Sequence, residues 1–141
     1  ADMKPDIQEN IVHWLWQHEA GAIGYAAGYA KHKNLKKYLG DRDLLHQCAL
    51  STKELYKLCA LRGVDLKKYP EAGFVNFPVW LITLLVRWNI NRNESAKRYT
   101  AHVASEGNRK EMQAYLISVM KTAQELSFEM PYTKALQANL K

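Results

Sequence analysis

Only four prolines and seven glycines interrupt 141 residues, so the chain has few places to turn sharply or to break a helix. The stretches between them are rich in Leu, Ala, Lys, Glu, Gln and Met, residues that lose little on entering a helix. An all-α fold is therefore expected. The length is that of one ordinary domain with one core, taken as residues 1–141.

Periodicity places the helices. Ile7, Ile11, Trp14, Leu15, Ala22, Tyr25, Ala26 and Tyr29 recur at helical spacing, predicting a long first helix from Asp6 to about Tyr29, with Pro5 just ahead of it. Gly21, Gly24 and Gly28 in its second half each cost about 1 kcal/mol against alanine, which implies close approach of another helix or of a ligand. Lys31 to Lys37 reads as a basic connector, and Asp41 and Asp43 open a second helix that runs to Arg62 and stops at Gly63. Ser51-Thr52-Lys53-Glu54 imitates a capping box in its middle, but Leu44, Cys48, Leu55, Leu58 and Cys59 share a face across the join, which favours one helix. Val64 to Asn76 reads as irregular. The run Val79 to Ile90 is apolar nearly all round, so that helix is expected to be buried. A short helix from Asn93 to Ala104 follows. Asn108 is then expected to cap a helix with Glu111 at its third position and Met112, Tyr115, Leu116, Val119, Met120, Ala123 and Leu126 as its apolar stripe. Pro131 opens a last short helix to about Leu140.

Several function classes are excluded on the same residues. No glycine-rich turn follows a strand, so no cofactor is expected on this chain itself. The histidines at 13, 18, 32, 46 and 102 include no pair three or four apart, so no metal is expected. A formal charge of +6 without interleaved aromatic residues does not point to nucleic acid. Val79 to Val86 is far short of the roughly 20 residues that span a bilayer, and Ala1-Asp2-Met3-Lys4-Pro5 carries no apolar signal region. Cys48 and Cys59 lie roughly 16 Å apart along one helix, too far for a disulfide. A reduced, cytoplasmic setting is expected.

Each candidate site residue has a plain structural alternative. His18 lies beside the apolar stripe of the first helix and can be a packed histidine. Trp14 can be core. Glu111, three residues after an Asn cap, can simply close a helix end. Lys31 to Lys37 can be a solvated loop.

Three stretches nevertheless combine in one order and spacing over nearly the whole chain: Trp14-Leu15-Trp16-Gln17-His18-Glu19-Ala20-Gly21-Ala22; Ala60-Leu61-Arg62-Gly63-Val64-Asp65-Leu66 with Tyr69-Pro70; and Glu111-Met112-Gln113-Ala114-Tyr115 leading to Leu126 and Met130-Pro131-Tyr132. Together they resemble the C-terminal domain of the ketopantoate reductase family. The resemblance implies a multi-helix fold of the 6-phosphogluconate-dehydrogenase C-terminal type. It implies an N-terminal Rossmann domain, absent from this chain, that binds NADP, and a helical domain that closes over a small 2-keto acid and supplies a lysine, an asparagine and a glutamate. Trp14 stands in the lysine's place and His18 in the asparagine's, while Glu111 is retained as the catalytic carboxylate. Trp14, His18, Gly21 and Ala22 are then the expected substrate-cleft residues. Loss of an ammonium able to protonate an alkoxide would cost about 10²–10⁴-fold in rate. The chain alone is expected to be inactive and, with much apolar helix surface, to form a homodimer. The rival expectation is a stand-alone helical protein-interaction module.

Overall fold

The computed structural model describes residues 9–103 and 105–140, and every regular element among them is helical. The helices are α1 (Ile11–His32), α2 (Leu35–Gly40), α3 (Arg42–Leu61), α4 (Val79–Arg92), α5 (Glu94–Val103), α6 (Glu106–Glu125) and α7 (Pro131–Gln137). Short 3₁₀ turns occupy Leu66–Lys68, Pro70–Asn76 and Ala138–Leu140.

Polar caps set the helix starts. Asn10 is extended and its Oδ1 accepts from the His13 amide at 3.1 Å, so α1 begins at Ile11. The expected earlier start at Asp6 lies outside the described residues. Lys33 closes α1 in the left-handed region at φ 50°, and Asn34 then caps α2 through the Lys37 amide at 2.9 Å. The basic connector is thus partly helical, because Tyr38 and Leu39 are buried and hold that turn against the core. Asp41 caps α3 through the Leu44 amide, and α3 runs unbroken to Leu61 with Gly63 beyond it at φ +88°.

The central helix is α3, against which α1, α4 and α7 pack. Gly21, Gly24 and Gly28 let α1 lie close on it. A Cβ at Gly28 would sit 2.3 Å from Cys48 Sγ, one at Gly21 2.9 Å from the Tyr56 hydroxyl, and one at Gly24 3.2 Å from Ser51 Oγ. The glycines therefore serve a helix contact. Residues of the imitated capping box also face a neighbour. Ser51 Oγ lies 2.9 Å from Thr133 Oγ1, and Glu54 accepts from the Tyr132 amide at 3.1 Å and from the Thr133 amide and hydroxyl at 2.8 and 2.7 Å. Glu54 is thereby the cap of α7, supplied from α3.

Two expectations fail. Asn108 does not cap α6, which starts at Glu106; its side-chain amide donates instead to the His102 carbonyl at 3.0 Å. Glu111 is consequently not closing a helix end, because it lies inside α6. Nor is α4 buried. Only Ile82 and Ile90 are fully covered, whereas Trp80 and Trp88 are 64% and 56% exposed. The reason is geometric: α3 and α5 cover one side of α4, and no described element covers the other.

Candidate functional site

Helices α1, α5 and α6 enclose an open cleft of about 470 Å³. On α1, Leu15, Glu19 and Ala22 recur at i, i+4 and i+7 and so point the same way. Glu111 and Tyr115, one turn apart on α6, face them, with Tyr99 of α5 at the cleft edge. Trp16 floors the near end. Its indole is covered by the Arg62 guanidinium at 3.5 Å and lies 6.4 Å from the Tyr115 ring.

Two carboxylates thus share one cleft with no ion-pair partner among the described residues. Partial burial raises the Glu19 carboxyl above its ordinary range, the nearby His18 opposes that shift, and the negative charge of Glu111 adds to it. Burial, and then the Cys59 and Glu19 charges, hold the Tyr115 phenol far above its ordinary value. Burial and then Glu19 also raise Tyr99. Both tyrosines are therefore hydroxyl donors at every physiological pH. The cleft combines hydrogen-bond donors with one carboxylate that keeps its proton to higher pH than an exposed glutamate.

A second, mainly apolar cleft of about 370 Å³ adjoins it, with Gly21, Tyr25, Ile82 and Val86 in its walls and Ala22 and Tyr99 shared between the two.

The expected site residues divide. Glu111 and Ala22 meet in the acidic cleft, and Gly21 and Ala22 line the apolar one. Trp14 and His18 do not line either. Their rings stack on each other at 4.8 Å and 11°, with His18 exposed on the outside of α1. The rotation of about 100° per residue explains the division: positions 14 and 18 belong to the neighbouring face from 15 and 19. The residue missed from sequence is Glu19, which sits inside the first quoted stretch. Its signal was the 15-19-22 spacing, legible only once α6 is known to face it.

Among the described residues no three of His, Cys, Asp and Glu converge as a metal-ligand set, and no helix is long and apolar enough to cross a membrane. Cys48 and Cys59 are free and buried. The chain is thus defined as an all-helical domain whose polar cleft carries paired glutamates. No protein-family model, curated protein or solved structure matches it.

Proposed function

We propose that this chain is the helical substrate-binding domain of an NADP-dependent 2-keto-acid reductase of the ketopantoate reductase kind, with the 6-phosphogluconate-dehydrogenase C-terminal type of fold, and that it is inactive without its nucleotide-binding domain. The observation that supports the reading is the cleft itself, where Glu111 faces the small residue Ala22 across a space fit for a small branched acid.

The residues divide the work by their chemistry. Tyr99, Tyr115 and Asn108 supply neutral donors to a substrate carboxylate or carbonyl, and Glu111 accepts from a substrate hydroxyl. NADPH, held by the other domain, supplies the hydride. Glu19, protonated to higher pH than an exposed glutamate, is the group on this chain suited to give its proton to the carbonyl oxygen as that oxygen gains charge. It takes the role that the resemblance assigns to a lysine at position 14.

The test is keto-acid-dependent NADPH oxidation by the complete gene product. Glu111→Gln should lower kcat/KM by about 10–100-fold, the worth of one charge-assisted hydrogen bond, with circular dichroism unchanged. The present chain alone should show no NADPH binding by calorimetry. Full activity in Glu111→Gln, or low-micromolar NADPH binding by the chain alone, removes the proposal. The second reading, a protein-interaction module, is favoured by one observation, the uncovered face of α4.

A further inference from the structure

The uncovered face of α4 has a definite pattern. Leu81, Leu84 and Trp88 follow one another at intervals of three and four residues, the spacing of a helix-packing seam, and Phe77 stands just ahead of the helix on extended backbone. Phe77, Leu84 and Trp88 are exposed, as are Trp80 and Leu85 beside them. Exposed apolar side chains scattered singly need no explanation, but a continuous stripe this long on one helix marks a contact surface.

Charge identifies what fits it. Arg87 borders the stripe on one side and Arg92 on the other, the latter 5.5 Å from the Trp88 ring. Arg42 and His46 of α3 extend the basic border along a cleft of about 480 Å³ between α3 and α4, whose walls include Trp80 and Leu84. Asp43 is the one acid in that cleft. Neither Arg42 nor Arg87 has an ion-pair or hydrogen-bond partner among the described residues. Thr83, in the same wall, has its hydroxyl buried without a partner among them. Unpaired guanidiniums beside an exposed apolar seam call for an occupant with an apolar stripe and carboxylate flanks.

We infer that the α4 face docks an amphipathic helix of another protein, its leucine-type seam on Phe77, Leu81, Leu84 and Trp88 and its glutamates or aspartates against Arg42, Arg87 and Arg92. A second copy of this chain fits poorly, because a two-fold contact would set the same arginines against one another. An anionic bilayer fits poorly too: the arginines flank a concave cleft that contains a carboxylate, which a flat lipid surface does not enter.

The inference is independent of the reductase reading and is tested on the chain itself. Two synthetic helical peptides of about three heptads, leucine at both seam positions, would carry glutamate at the flanks in one case and lysine in the other. Binding is read by tryptophan fluorescence and calorimetry. The acidic peptide should bind with Kd on the order of 10 µM and at least roughly 10-fold more tightly than the basic one, the preference shrinking at high salt. Leu84→Asp and W88S should each weaken binding at least about 10-fold with the circular dichroism unchanged, and Arg87→Glu combined with Arg92→Glu should reverse the preference. Equal affinity for the two peptides, no binding of either, or insensitivity to Leu84→Asp and W88S overturns the inference. So does sedimentation showing that the face is consumed in a dimer of the chain, or stronger binding to phosphatidylserine vesicles than to the acidic peptide.

Discussion

Glu19 is the cleft carboxyl that its surroundings perturb, and its behaviour with pH has a definite sign. Its folded-state pKa lies above its ordinary value of 4.5, because burial and then the Glu111 charge disfavour the carboxylate. The folded state therefore holds the proton longer than the unfolded chain does, and stability falls as pH rises from about that value through the folded pKa. Glu19→Gln removes this loss. The variant should be more stable than the parent at pH 7, by less than about 1 kcal/mol because the group is only partly buried, and the difference should vanish below pH 4. Urea unfolding at the two pH values checks it; equal midpoints at pH 7 would show that neither burial nor the Glu111 charge penalises the Glu19 carboxylate. In sequence, Glu19 stood next to His18 and drew no attention. Trp14 and His18 are one helical step away, Trp14 packed partly buried against the core and His18 exposed and stacked on its ring. A single residue's rotation decides which of two adjacent side chains lines the cleft, and that requires knowing the opposite wall.

At the scale of elements, the sequence told most about helices with one strong stripe and least about what covers them. The stripe on α6 is where the periodicity put it over most of its length, with Met112, Leu116, Val119 and Ala123 buried and Tyr115 and Met120 partly so, but Leu126 falls just past the helix end and is exposed. The glycines of α1 signalled a close approach, and the partner proved to be α3. For α4 the composition gave an apolar helix but not a covering layer, so the expectation of burial failed on one side. Across Ser51 to Glu54 the expected single helix holds, but the role of the imitated cap lies elsewhere. Spacing alone reads as a local cap, yet the carboxylate serves a helix 79 residues further on. That contact yields a prediction: Glu54→Ala leaves the Tyr132 and Thr133 amides and the Thr133 hydroxyl without their acceptor, and should cost about 2–3 kcal/mol. Hydrogen exchange should report the loss first in α7, with α6 less affected. Uniform loss of protection, or none, would show that Leu136 and Leu140 hold α7 without the carboxylate.

For the molecule as a whole, the two thiols report on cooperativity. Burial pushes Cys48 up to about 12 and Cys59 up to about 11, so neither forms an appreciable thiolate in the folded state. Alkylation at pH 8 should be at least about 100-fold slower in the native protein than in denaturant, and both sites should react together as the fold opens. Independent labelling of Cys59 below the unfolding transition would indicate that the C-terminal end of α3, where its thiol donates to the Trp16 carbonyl, opens by itself. The dependence of α3 on distant partners also has a temporal side. Leu136 and Leu140 are fully buried, Glu54 awaits the amides of α7, and the Ala27 carbonyl accepts from Asn139. Synthesis delivers these groups well after α3. At roughly 5–20 residues per second, the interval between the end of α3 and the arrival of α7 is on the order of ten seconds, during which the apolar flank of α3 stays open to whatever binds nascent chains.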